Sequence, residues 1–315
     1  CVAKLDGGGK ALWIIPLSRR GFAETPARVE AALAVAKRQP KGPVGRFFKR
    51  LLIRLQYNGA RRYFARHPET VALCWNGLTG SRRVFMEGAR DAGVATLFAE
   101  LAPFPGRMQL DHTGVNAQGS LPRDPRFYTA WAAGVADRQG AGWRALGDTL
   151  SARVSRRADV GQKTGAGLAG ENFLFVPLQV PNDSQITLFA GWVRSVENML
   201  AVLARTGGAL PDGWHIRVKE HPSAKTSLAE PLARAVKASG GRLVVDNQTD
   251  TFEQVAACRG VITINSSVGL QAFFHDKPVI TLGQAFFAMP GLVRVADSEN
   301  ALTMALRDAP TLDFD

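Results

Sequence analysis

Apolar residues follow two rhythms along this chain. Short apolar runs fall at 12–15, 71–75, 95–99, 173–176, 216–218, 243–245, 261–264 and 279–282, a few of them holding one polar residue. Between them apolar positions recur every three or four residues, most plainly over 188–206 and 228–239. The short runs predict buried strands, and the 3.6-residue rhythm predicts amphipathic helices. Strands separated by helix-length stretches build βαβ units and parallel sheets. The pattern predicts an α/β fold with two Rossmann-like domains, the first over 1–160 and the second over 161–315. The stretch 156–170, rich in Gly and charge and without an apolar period, suits a linker between them.

A length of 315 residues is ample for two hydrophobic cores. The apolar share of 46% and charged share of 21% describe an ordinary globular protein. No apolar run approaches the roughly 20 residues that span a bilayer. The net charge of +12 is the compositional outlier and points to anionic partners. Much of it is local: residues 37–66 hold ten Lys or Arg and no acid. Inside that segment Val44, Phe47, Phe48, Leu51, Leu52 and Leu55 recur at helical spacing, with Arg46, Lys49, Arg50 and Arg54 among them. A basic amphipathic helix of this kind lies in a membrane interface, drawn by anionic lipid. The competing reading packs the apolar face on the first domain and leaves the arginines solvated. Nucleic acid is not an expected partner, because no helix-turn-helix, RRM, zinc-finger or OB pattern accompanies the charge. Three cysteines (Cys1, Cys74, Cys258) make no disulfide framework and read as free thiols of a reducing cytosol. The abrupt first and last residues suggest a piece of a longer chain.

Candidate chemistry sits where strands end, which is where open α/β sheets bind ligands. After the run 173–176 the chain turns polar and leaves Gln179 and Asp183 at the strand mouth. Arg217-Val-Lys-Glu-His-Pro222 closes the next strand. Thr263-Ile-Asn-Ser-Ser-Val-Gly269 passes from a strand through hydroxyl residues into a helix, whose N–H groups suit a phosphate. Lys219 and His221 add positive charge nearby. Each cluster taken singly has a plain alternative: a His-Pro turn, an Asn-Ser-Ser helix cap, an Asp capping a turn. Their order within one Rossmann-like half favours a site.

That order resembles the capsule polysaccharide β-Kdo transferases of the KpsS/KpsC type. The resemblance rests on Pro177-Leu-Gln-Val-Pro-Asn-Asp-Ser-Gln-Ile186, Val218-Lys-Glu-His-Pro222, Asn265-Ser-Ser-Val-Gly-Leu-Gln-Ala272 and Lys277-Pro-Val-Ile-Thr-Leu-Gly283. In the first half it includes Glu100 before a Pro-Gly turn and Gln109-Leu-Asp-His-Thr-Gly-Val-Asn-Ala-Gln-Gly-Ser120, and departs at Ala102 and Pro103. The basic helix has no counterpart in it. The resemblance implies a GT-B-like transferase that moves Kdo from CMP-Kdo with retention of configuration. It implies His221, Ser266 and Ser267, with Asn265 and Lys219 beside them, around the CMP phosphate. Asp183 would be the catalytic carboxylate, Gln179 would position the sugar, and Glu100 of the first, acceptor-side domain would be the acid/base. The acceptor would be a glycolipid or phosphatidylglycerol-type lipid at the anionic inner face of the bacterial inner membrane, the protein being cytoplasmic and peripheral.

Such chemistry needs one carboxylate beneath the anomeric carbon and a second group for the acceptor proton. The leaving phosphate needs positive charge and hydrogen-bond donors. The one Asp-x-Asp, Asp313-Phe-Asp315, lies at the chain end, so no metal and no cofactor beyond the donor is expected. Two alternatives stay open: a GT-B enzyme using another nucleotide sugar, and a non-catalytic scaffold of capsule export at the membrane.

Overall fold

The computed structural model describes residue 12, 14–134, 141–150, 154–165 and 167–314. The chain divides into two compact units, one of 1–100 with 109–115, the other of 101–108 with 116–315.

The first unit opens with α1 (Thr25–Ala34) and α2 (Gly42–Ala65). Then come β1 (Val71–Trp75), α3 (Gly80–Asp91), β2 (Ala95–Leu101) and β3 (Met108–Asp111). The strands lie in the order β1-β2-β3, with β1 and β2 parallel. The expected strand at 12–15 is absent from the described residues there. The residues that follow it, 16–18, run along α2: Ser18 donates its N–H to the Leu55 carbonyl at 3.0 Å. Gly59 allows this approach, since a Cβ there would sit 1.8 Å from the Pro16 carbonyl oxygen. Residues such as Ile53, Tyr57 and Val84 join Val29, Ala32 and Leu33 in a small core between the three helices. β1 ends in Asn76-Gly77, both at positive φ (60° and 74°). Gly77 is required sterically as well, because a Cβ would meet the Phe98 ring at 2.6 Å.

In the second unit α4 (Pro125–Ala133) and α5 (Arg144–Gly147) precede the sheet. Its elements are β4 (Asn172–Pro177), α6 (Ser184–Phe189), α7 (Val196–Thr206), β5 (Trp214–Lys219), α8 (Ala229–Ala238) and β6 (Leu243–Val245). They continue with α9 (Thr251–Ala257), β7 (Gly260–Thr263), α10 (Ser267–Gln271), β8 (Val279–Thr281), β9 (Arg294–Val295) and α11 (Glu299–Arg307). The sheet order is β6-β5-β4-β7-β8-β9, with every pairing parallel. Numbered from its own first strand this is 3-2-1-4-5-6, the doubly wound order.

β4 is central because it is apolar on both faces, as parallel strands under helices must be. Leu174 and Val176 enter one core with Met199 and Leu203 of α7, Leu232 of α8 and Leu302 of α11. Phe173 and Phe175 enter the other core with Val255 of α9, Val261 and Phe273. The single helix expected over 188–206 is interrupted. Gly191 and Arg194 adopt positive φ (62° and 63°), and Ser195 then caps α7 by accepting from the Asn198 N–H at 3.1 Å. The stretch read as a linker is laced to this unit. Gly161 and Lys163 donate their N–H groups to the Asn247 and Gln248 carbonyls at 2.7 and 2.8 Å, and Asp250 donates back to the Lys163 carbonyl at 2.8 Å.

Candidate active site

The strand order reverses between β4 and β7, and ligands of open α/β sheets bind outside the carboxyl ends at such a point. Two amides join the strand mouths there. The Gln179 side-chain amide donates to Asn265 Oδ1 at 2.8 Å and accepts from the Asn265 N–H at 3.3 Å. Asn265 Nδ2 in turn donates to the carbonyls of Gln185 and Phe189 at 3.0 and 3.1 Å, holding α6 against the mouth of β7.

Beside this join lies a solvent-open cleft of about 620 Å³. Its wall comes from Pro177 and Leu178 at the end of β4, His221 and Pro222 after β5, Thr251 and Phe252 of α9, and Ser266, Ser267 and Gln271 around α10. His221 accepts the Ser223 N–H on Nδ1 at 3.0 Å. In the neutral ring the proton is therefore on Nε2, which makes that nitrogen a donor. Ser266 donates its N–H to Thr263 Oγ1 at 2.9 Å and caps α10 by accepting from the Val268 N–H at 3.2 Å. The cleft thus gathers an imidazole and two hydroxyls, groups suited to a phosphate.

The turn that carries His221 is braced from below. Glu220 is only 2% exposed. It receives Arg157 at 2.6 Å, the Leu228 N–H at 2.8 Å and Asn247 Nδ2 at 3.1 Å. Arg157 also pairs with Asp159, and these two carboxylates raise its pKa. A buried carboxylate needs such partners, since losing one leaves its charge uncompensated. Arg157 stands 63 residues away in the chain, so no local motif announces the pair.

Lys219 was expected beside the phosphate, and the residue does border the cleft. Its ammonium, however, donates to the carbonyls of Gly161, Thr249 and Asn247 at 2.7, 2.5 and 3.3 Å. Burial lowers its pKa. Arg217, a further cation of the same strand, is likewise committed to Asp246 at 3.1 Å and to Glu171, under the Phe173 ring. Both cations are structural struts here.

Asp183 is the N-cap of α6, accepting the Gln185 N–H at 3.0 Å and the Ser184 hydroxyl at 3.2 Å. It is half-buried and stands in the loop that Gln179 begins, outside the cleft wall just described. Glu100 belongs to the first unit. Near the carboxyl end of β2 it accepts from Asn76 Nδ2 at 2.9 Å.

Residues 155–312, half of the chain, match the model of a family described as capsule polysaccharide biosynthesis protein. The chain belongs to that family. The match spans β4 to α11 and so holds the whole doubly wound sheet and its cleft. Protein FixF of Sinorhizobium fredii strain NGR234 is 31% identical over 240 residues, covering 76% of this chain and 54% of FixF. The chain therefore spans about half the length of that relative. The capsule polysaccharide export protein KpsS of Escherichia coli is 23% identical, covering 80% of this chain and 85% of KpsS. Among solved structures, the Thermosulfurimonas dismutans KpsC β-Kdo 2,7 transferase aligns with a TM-score of 0.48 at 15% identity, covering 78% of each chain.

Within this family member the structure brings together His221, Ser266 and Ser267 as cleft wall, and joins Gln179 to Asn265 at the strand mouth, while Asp183 caps α6 in the same loop without bonding to either. Sequence reasoning missed Thr251, Phe252 and Gln271 in the wall. The signal available for the first two was Asp250, whose carboxylate caps α9 by accepting from the Phe252 and Glu253 N–H groups at 2.7 and 3.1 Å. Among the described residues, no three His, Cys, Asp or Glu side chains gather as a metal set. No helix there is long and apolar enough to cross a membrane.

Proposed function

We propose that this chain is a retaining glycosyltransferase that moves Kdo from CMP-Kdo to a lipid or Kdo-primed acceptor in capsular polysaccharide biosynthesis. The observation that carries this reading is the meeting of His221, Ser266 and Ser267 in one cleft outside the switch point, with the Gln179–Asp183 loop at the adjoining strand end. In this reading the imidazole and hydroxyls hold the CMP phosphate without a metal, and Gln179 and Asn265 set the floor for the sugar.

Asp183 attacks the anomeric carbon, and the bond to the phosphate oxygen breaks with its electron pair leaving on CMP. The acceptor oxygen then displaces Asp183 as Glu100 takes its proton, so two inversions give net retention. Work at an anionic membrane surface, facing the cytoplasm, completes the reading. The motifs quoted above and membership of the capsule family support it.

Thermal melts with CMP, UDP and GDP test the donor: CMP alone is expected to stabilise the protein. Incubation with CMP-Kdo and lipid or Kdo-primed acceptors, followed by mass spectrometry, is expected to show Kdo-extended product. Stabilisation by UDP alone, or an unchanged acceptor despite CMP binding, would sink the reading.

A further inference from the structure

Helix α2 has two apolar faces, and only one of them is covered. Ile53, Tyr57, Ala60 and Phe64 are buried, the first two in the core with α1 and α3. Val44, Phe47, Phe48, Leu51 and Leu52 lie on the other side; at roughly 100° per residue, Leu51 and Ile53 point about 200° apart. Phe47 and Phe48 are each 62% exposed. The strap at 14–18 extends this bare stripe. Its bond to the Leu55 carbonyl sets Leu17 at the stripe's end, and Ile14 and Leu17 are themselves exposed.

Within the helix and the residues leading into it the charge has one sign. Residues 37–66 hold ten basic residues and no acid, and Arg19 and Arg20 follow the strap directly. Arg46 and Arg54 are exposed, whereas Arg50 is neutralised by Glu30 at 3.0 Å. Several large apolar side chains projecting from one face of a helix whose own charges are all basic match the headgroup region of an anionic bilayer, which offers both an apolar boundary and negative charge.

We infer that the first three turns of α2, with the strap beside them, dock this protein on an anionic lipid bilayer, α2 lying in the headgroup plane. The inference names the element that would hold the proposed transferase at its lipid acceptor. It rests on that reading only for the purpose of docking, not for the docking itself.

The test is flotation of the intact chain with phosphatidylcholine vesicles, with and without about 30 mol% phosphatidylglycerol. Binding is expected only to the anionic vesicles and is expected to weaken as salt rises. The double variant Phe47→Glu, Leu51→Glu should lose at least about tenfold in partitioning. Its melting temperature and its response to CMP should stay at the parent values, because both side chains project into solvent. Arg46→Glu with Arg54→Glu should also weaken binding. Equal binding to both vesicle types, or undiminished binding by the Phe47/Leu51 variant, would overturn the proposal. So would absence of vesicle binding by a parent that self-associates through this face, seen as a dimer that the variant makes monomeric. The CMP response reports separately on the donor site, so failure of that site and failure of docking give different results.

Discussion

Asp183 does two things that one substitution can separate. As N-cap of α6 it satisfies a helix N–H, and Asn serves that purpose about as well. As a proposed nucleophile it needs a carboxylate, which Asn lacks. Asp183→Asn should therefore leave stability within about 0.5 kcal/mol while lowering transfer by about 10³-fold or more. Asp183→Ala should lose the same activity and about 1 kcal/mol of stability besides. Urea melts beside a transfer assay read both, and an active Asp183→Asn enzyme would leave Asp183 as a cap alone.

Lys219 makes the opposite case. Replacing it by Met strips a donor from three carbonyls, that of Thr249 buried, so a loss of about 2 kcal/mol is expected in a urea melt. CMP affinity of the folded variant should change little in a titration. A large loss of CMP affinity at parental stability would instead assign the ammonium to the phosphate.

At the scale of elements, α1, α2 and α3 are tied by one carboxylate. Asp91 at the end of α3 receives Arg28 of α1 at 2.6 and 2.9 Å and the Tyr57 hydroxyl of α2 at 2.7 Å. Burial works to raise its pKa, but the hydrogen bonds from Arg28 and Tyr57 outweigh it and hold the carboxyl below its ordinary value. Burial and the bond to Asp91 likewise push the Tyr57 hydroxyl upward. A depressed carboxylate contributes stability that is fully present above its unfolded pKa of about 3.9 and is lost as pH falls through the folded value. The parent should therefore lose stability on acidification below about pH 4, and Asp91→Asn should lose less over that window while starting lower at neutral pH. Denaturant melts across the acid range decide it; identical slopes for the two proteins would remove Asp91 from the acid response.

Element boundaries also show how much of the fold was legible. Runs such as 71–75 and 243–245 became β1 and β6 at the expected residues, because a continuous apolar run between turns has few other ways to be buried. The run at 12–15 shows no strand among its described residues because apolarity does not specify a pairing partner, and the residues just after it, Pro16 and Leu17, pack on α2 at Gly59. The rhythm over 188–206 failed because Gly191 and Arg194 turn the backbone at two points that hydrophobic spacing cannot register.

For the whole molecule, the sequence alone determined the α/β class, the strand–helix alternation and the polar strand mouths. Those follow from local periodicity and from residue chemistry, which are properties of neighbours in the chain. It also marked 44–55 as a basic amphipathic helix and named both possible fates of its apolar face. Only the tertiary structure decided that this face stays bare while the opposite one is buried. Only it placed the order 3-2-1-4-5-6, which brings residues 179 and 265 into one reciprocal amide pair. It also decided that Lys219 and Arg217 are compensated within the fold, whereas His221, Ser266 and Ser267 line the cleft. The physical reason is the same in each case. A charge or an amide is defined by the groups that reach it, and those groups come from strands and loops far apart in sequence.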